Sequence, residues 1–321
     1  MIKVNGSSFL IDEIICLKMK IILTFDYFIF LGTNMISSQT NEPEFWTMVI
    51  SPKSGWLDLN LREIWRYRDL LRFFMYRDFV ANYKQAVLGP FWFVLNPLLN
   101  TIVYTIVFGL IIRIPTDGLP PILFYMSGII IWNYFSACVL NTSNTFVSNA
   151  HIFGKIYFPR LIIPISIVIV NLLTFVIQFG VYVCFICYYA LIGVVISPNI
   201  FILLLPLLLI QIAAFGLGTG LIVSSLTTKY RDLAYAMVFG IQLWMYATPV
   251  FFPLSLIPVK WQWIFALNPM TSIVETFRFI LLGNGHFQPW ILGFGAVTTI
   301  ITLIIGLALF NHIEKTVIDT V

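Results

Sequence analysis

Long apolar runs separated by short polar segments dominate this chain from residue 91 to residue 310. Six of them, at 91–112, 121–143, 161–192, 200–226, 233–253 and 289–310, have about the 20 residues that a helix needs to cross lipid. None holds Asp, Glu, Lys or Arg except arginines at the edges. The third run is long enough to tilt or to project beyond the hydrocarbon, and Pro164 falls in its first turn, where proline is tolerated. The fifth ends at Pro249 and Pro253, which should break it before it crosses cleanly. Segment 254–285 is less apolar and carries Pro258, Pro269 and Gly283, a pattern that predicts short re-entrant or interfacial helices. The expected fold is an all-α integral membrane protein with six transmembrane helices.

Upstream, residues 59–84 read as a helix. At 100° per residue Leu61, Ile64, Leu71, Met75 and Phe79 share one arc, with Glu63, Arg66 and Arg77 opposite, while Arg68 and Asp78 interrupt the stripe. This predicts an interface helix lying along the membrane, its basic side toward lipid headgroups. A basic helix for nucleic acid is the rival so close to a span, and no nucleic acid is expected. The chain therefore divides into an N-terminal extension (1–45), an amphipathic interface region (46–90), a transmembrane domain (91–312) and a short tail (313–321). Within the extension the apolar run 21–31 contains Asp26 and is too short to span. Two readings stand for it: a start codon assigned too early, with Met35 just before the composition changes, or a peripheral extension.

Composition turns a helical protein into a lipid-embedded one. The chain is 60% hydrophobic and 10% charged, with mean hydropathy +0.94, against roughly 45–50% and 25% in soluble domains. The net charge of +4 sits in clusters. Six spans put both termini on one side. From residue 53 that side carries Lys53, Arg62, Arg66, Arg68, Arg72, Arg77, Lys84, Lys155, Arg160, Lys229, Arg231 and Lys315, and the other side Arg113, Lys260 and Arg278. Twelve against three predicts cytoplasmic termini by the positive-inside rule.

The chemistry is mostly notable for what is missing. There is no GxxxxGK[ST] phosphate loop, no HExxH, no paired-cysteine motif and no GxSxG. Gly216 and Gly220 in GLGTG have the GxxxG spacing that lets helices approach closely. Cys16, Cys138, Cys184 and Cys187 read as packing residues, and His151, His286 and His312 are too scattered to suggest a metal. The spans offer neutral amides, among them Asn96, Asn100, Asn171, Gln178, Gln211 and Gln242. That argues against an ion-coupled transporter, and against a membrane glycosyltransferase that needs carboxylates. Glu275 and Arg278 read as a helix-stabilising pair.

Aromatic residues make up 17% of the chain, and many belong to interfacial belts. Trp244, Tyr246, Phe251 and Phe252 gather at the broken end of the fifth run, while Phe91, Trp92, Phe93 and Tyr104 mark the first. An aromatic path suits a glycan, whose C–H faces stack on rings. One cytoplasmic loop, TFVSNAHIFGKIYFPR at 145–160, is aromatic and basic and holds a Phe158-Pro159 stop. It reads as a segment gripped by a partner rather than a plain connector.

Several motifs then follow in order: YKQAVLGPFWFVLNPLL (83–99), FYMSGIIIWNYF (124–135), NAHIFGKIYFPRLIIP (149–164), TTKYRDL (227–233), YATPVFFP (246–253) and NPM (268–270). Together, over about residues 46–321, they resemble the membrane subunit of a type-2 ABC exporter. More narrowly they resemble the permeases that export O-antigen, teichoic acid or capsular polysaccharide. The resemblance implies a homodimer in the bacterial inner membrane that recruits two copies of a separate ATPase. That partner would bind ATP and Mg, so the chain itself is no enzyme and holds no cofactor. It implies a coupling helix at 145–160, with His151, Phe153, Gly154, Lys155, Tyr157, Phe158 and Arg160. It also implies a second loop facing the ATPase, with Lys229, Tyr230, Arg231 and Asp232. Residues 254–285 correspond to outer gate helices, and the first and fifth spans line the channel, where Tyr104, Trp244, Tyr246 and Phe251 are the candidates. The expected function is export of a lipid-linked polysaccharide. The alternatives are a type-2 exporter of a small lipophilic molecule or drug and, from another class, a polyprenyl-dependent membrane transferase.

Overall fold

Every regular element among the described residues is a helix. The computed structural model describes residues 61–84, 88–153, 158–283 and 288–318, all within a unit that runs from Lys53 to Val321; the expectations for 1–45 fall outside them. Helices α1 (Leu61–Arg66) and α2 (Arg68–Lys84) come first. A 3-10 turn at Gly89–Phe91 leads into α3 (Trp92–Tyr104), which continues as a π-helical stretch over Thr105–Ile111. Next are α4 (Pro121–Ser143) and two single turns, α5 (Thr145–Ser148) and α6 (Ala150–Phe153). The rest comprises α7 (Ile162–Leu191), α8 (Leu205–Thr227), α9 (Leu233–Tyr246), α10 (Val259–Ala266), α11 (Pro269–Leu282) and α12 (Pro289–Ile318).

Among the described residues five helical stretches are long and apolar enough to cross a membrane: Gly89–Ile111, Pro121–Ser143, Ile162–Leu191, Ile200–Thr227 and Pro289–Ile313. They match the first four and the last of the apolar runs closely. The fifth run departs from a continuous span, because α9 has 14 residues and so reaches only about 21 Å of a hydrocarbon core about 30 Å thick. It stops at Tyr246, just ahead of Pro249, and the chain turns through 247–250. Helices α10 and α11 then form a pair bent by 108°, a broken span or a re-entrant loop, which counts as a sixth span if taken as one.

Helix α4 is the centre of the bundle, with 78% of its apolar window buried against 11% for the first span. Helix α8 lies between α4 and α12 and packs extensively on both. A Cβ added at Gly216 or Gly220 would come within 2.8 Å of the Cys138 Cβ or 2.6 Å of the Thr142 Cβ, so the glycine spacing does set a close helix crossing.

Helix α2 packs on the start of α7. Phe74, 3% exposed, meets Phe158 at 5.8 Å and sits on Ile162 and Ile163, with Ile64, Tyr67, Leu70 and Leu71 around it. This buried face is turned from the expected stripe by most of one residue's step of about 100°. Arg77, expected on the polar side, lies 4.7 Å over the Phe74 ring and donates to Asp78 at 2.7 Å. The difference has a physical source. A planar cation with an apolar stem can cover an aromatic ring, whereas a polarity pattern counts it as solvent-facing.

Candidate functional site

The second helix of the bent pair is set by its own caps. Asn268 opens α11: its side-chain oxygen accepts from the Met270 N–H at 3.1 Å, and Pro269 follows at the first helical position. Gly283, at φ 78°, closes the helix in the left-handed conformation that glycine adopts freely. The Asn268 amide nitrogen also donates to the Thr248 hydroxyl at 2.9 Å, so the YATP turn and the NPM start are joined directly.

Arg278 completes that joint. It lies on α11 and is 1% exposed. Its guanidinium donates to the carbonyls of Pro249 (2.7 Å), Val250 (2.8 Å) and Phe124 (3.3 Å) and to the Ser127 hydroxyl (3.1 Å). It lies 3.7 Å over the Phe124 ring and donates to Glu275 at 3.4 Å. Glu275 in turn accepts from the Leu254 N–H at 3.3 Å. Gly128 makes the room, since a Cβ there would stand 2.9 Å from the guanidinium. The expected pair with Glu275 is present, but Arg278 is not the outer-surface charge that the sequence predicts: it is a buried hub. Removing it from the count, together with the likewise buried Arg160 on the other side, leaves eleven basic residues against two. A signal was available. A helix broken at Pro249 and Pro253 leaves carbonyls without helical N–H donors, and a lone arginine in an apolar segment is a ready donor.

Three of the four channel candidates come together. Tyr104 meets Phe251 edge-on at 4.7 Å and Tyr246 stacks on Phe251 at 5.3 Å. Tyr246 is half-exposed and Phe251 is buried. Trp244 turns away, edge-on to Phe135 at 5.3 Å and Phe215 at 5.7 Å in the core of the bundle. Two residues apart on a helix means about 200° around it, so Trp244 and Tyr246 cannot share a face.

At the other end of the bundle, Phe153 lies between Phe146 and Phe158, each at 5.9 Å, with the Arg160 guanidinium 5.2 Å from its ring. Phe158 and Arg160 are 5% and 7% exposed. Both face the interior of this chain rather than a partner: Phe158 is seated on Phe74 just before the chain enters α7. Gly154, Lys155, Tyr157 and the His151 side chain lie outside the described residues. The exposed groups here are Val147, Ser148 and Ala150, and Lys229, Tyr230, Arg231 and Asp232 from the second loop. Thr227 at the end of α8 donates to the Ser143 carbonyl at the end of α4 at 2.9 Å, which sets the two loops side by side.

Among the described residues no group of His, Cys, Asp and Glu could hold a metal ion. The pattern of the ABC-2 type transporter family matches residues 69–282. The O-antigen export system permease protein RfbA of Klebsiella pneumoniae is 31% identical over 247 residues, 77% of this chain and 92% of the relative. The protein of the same name from Myxococcus xanthus is 29% identical over 225 residues, 68% and 83% of the two chains. The polysialic acid transport protein KpsM of Escherichia coli is 24% identical over 247 residues, 76% and 93%. The family match takes in nearly all of α2, both exposed loops and the Arg278 hub, and the chain belongs to the ABC-2 type transporter family.

Proposed function

We propose that this chain is the permease subunit of an ATP-driven exporter that moves a lipid-linked polysaccharide of the O-antigen kind across the bacterial inner membrane. The observation that carries the reading is its 31% identity, over most of both chains, to a permease named for O-antigen export. The chain makes no bonds itself. It works as a homodimer with two copies of an ATPase that holds ATP and Mg, and both termini are cytoplasmic. The exposed loop pair supports ATPase docking. The exposed apolar sides of α3 (Leu99, Ile102, Val103) and α9 (Val238, Phe239, Leu243) support burial against a second copy and lipid.

Deleting the chain should leave lipid-linked polysaccharide trapped inside cells and strip it from the surface. Surface glycan that persists, with ATP-driven efflux of a lipophilic dye lost instead, would favour the small-molecule exporter. Orientation has its own test on a cysteine-free background. Ser148→Cys, exposed at the loop end, should react with an impermeant maleimide only after permeabilisation. Val259→Cys, 82% exposed at the start of α10, should react in intact cells; the reverse pattern would overturn the topology.

Docking and packing separate by substitution. Val147→Asp with Tyr230→Ala should release the ATPase during purification while the melting temperature holds, since both side chains are about half exposed. Phe158→Ala should instead destabilise the fold by about 3–5 kcal/mol, the usual cost of deleting a buried ring. An ATPase still bound to the double variant would place docking elsewhere.

A further inference from the structure

A cavity of about 410 Å³ opens between α2, α4, the loop end after α4 and the start of α7. It lies within the roughly 300–1,000 Å³ of small-molecule sites. Its wall is graded. Ile163, Ile167 and Val170 share one face of α7 and make an apolar floor that runs inward from the first turn of that span. Arg77 and Asp78 of α2, with Ser148 and Asn149 of the loop end, make a polar rim. Asn141 lies two residues before the end of α4 and Asn171 more than two turns into α7.

The rim carries both signs of charge, and neither is used up. Arg77 donates through Nε to Asp78 Oδ1 at 2.7 Å, and its guanidinium lies over the Phe74 ring. Among the described residues the two Arg77 Nη nitrogens and Asp78 Oδ2 meet no protein partner. The two side chains are 35% and 25% exposed, so a guest can reach them. Asn141 is exposed as well and spends one N–H on Asn171 at 3.4 Å.

That arrangement sorts the possible guests. A multiply charged anion at Arg77 would meet the Asp78 carboxylate, and a bare cation at Asp78 would meet the guanidinium. A zwitterion with an ammonium a few bonds from its anion satisfies both. The apolar floor calls for hydrocarbon on the same molecule. Phe73, Tyr76 and Val80 on the outer side of α2 line a trough of about 380 Å³ that meets the cavity at Arg77 and Ala81. Phe73 and Tyr76 are exposed there, beside Lys84. Exposed rings flanked by cations suit the headgroup layer of a membrane, which places the cavity mouth among phospholipids.

We infer that this cavity binds the headgroup of phosphatidylethanolamine, its phosphate on the Arg77 guanidinium and its ammonium on the Asp78 carboxylate. Asn141 faces the ester carbonyls, and one acyl chain follows Ile163, Ile167 and Val170. Phosphatidylcholine has no N–H to give Asp78, and phosphatidylglycerol has no cation. The site does not depend on which cargo is exported.

The test is native mass spectrometry of the purified full-length protein released from nanodiscs of phosphatidylethanolamine, phosphatidylglycerol and phosphatidylcholine in equal parts. Bound phosphatidylethanolamine should exceed each of the others roughly tenfold, the worth of one charge-assisted hydrogen bond. Asp78→Asn keeps an oxygen that accepts from Arg77 and should abolish that preference. Arg77→Gln should lower retention of all three lipids several-fold. Ala81→Phe, at an exposed position shared by cavity and trough, should lower phosphatidylethanolamine retention without touching either charge. It keeps the site testable if a charge variant melts below the parent. Equal retention of the three lipids by the parent, or a preference that survives Asp78→Asn, would overturn the proposal. So would phosphatidylethanolamine retention unchanged by Arg77→Gln or by Ala81→Phe. Displacement by farnesyl diphosphate would also overturn it, by assigning the cavity to a polyprenyl diphosphate. Neither ATP nor export enters the measurement, so the lipid site and the export reading fail separately.

Discussion

Arg278→Leu is expected to destabilise the membrane domain by about 3–5 kcal/mol, the usual cost of removing one partner of a buried ion pair. Leucine fills part of the space but supplies no donor. The carbonyls of Pro249, Val250 and Phe124 would each lose a hydrogen bond inside a bundle that water does not enter freely. Glu275, 4% exposed, would keep its charge without the neighbouring cation. Arg278→Lys should fall between the two, because an ammonium has three donors where the guanidinium has five in a fixed fork. Adding Glu275→Gln to Arg278→Leu should recover part of the loss, since no buried carboxylate is then left uncompensated. Thermal unfolding of the detergent-solubilised parent and its three variants reads these effects, together with proteolysis across 254–283. Arg278→Leu melting like the parent would mean that water or another donor reaches those carbonyls and that the hub is dispensable.

The parts of this fold legible in the sequence are those set by the solvent. Lipid demands long uncharged helices whatever their neighbours, so the spans could be read without knowing what packs on what. Glycines at fixed spacing imply close approach for the same reason. What could not be read is which side of an element meets a partner. The face of α2 is fixed by Phe158, Ile162 and Ile163, far along the chain, so a stripe drawn from local polarity missed Phe74. Phe158 and Arg160 look like surface anchors because an aromatic and a cation in a loop suit a partner, yet here both are used internally. Helical spacing alone separates Trp244 from Tyr246, so that much of the channel arrangement is legible in the sequence. The shared face of Asn171 and Gln178 is legible too, because seven residues are two turns of one helix.

Gly218→Leu is expected to abolish a folded, monodisperse protein. Glycine to a larger residue in an exposed helix normally gains about 1 kcal/mol of propensity, and here the sign reverses. A Cβ at Gly218 would stand 2.8 Å from the Leu303 Cα and 2.9 Å from its nitrogen, and those backbone atoms cannot rotate aside. From the other helix, a Cβ at Gly306 would run into the Gly218 carbonyl. Helices α8 and α12 therefore cross glycine on glycine. In lipid the hydrophobic effect does little to hold helices together, so this close packing is a principal source of their association. Overpacking by a few methylenes costs about 1–3 kcal/mol where a core can shift. Helix α8 cannot shift away from α12 without pressing on α4, because the Gly220 position already lies against Thr142. Gly220→Val should fail for that second contact. Gly180→Ala, with nothing within 4 Å of its added carbon, should leave the protein unchanged. Size-exclusion profiles and melting midpoints of the three variants decide the matter. A Gly218→Leu protein that elutes and melts like the parent would show that α8 and α12 do not approach as closely as this crossing requires.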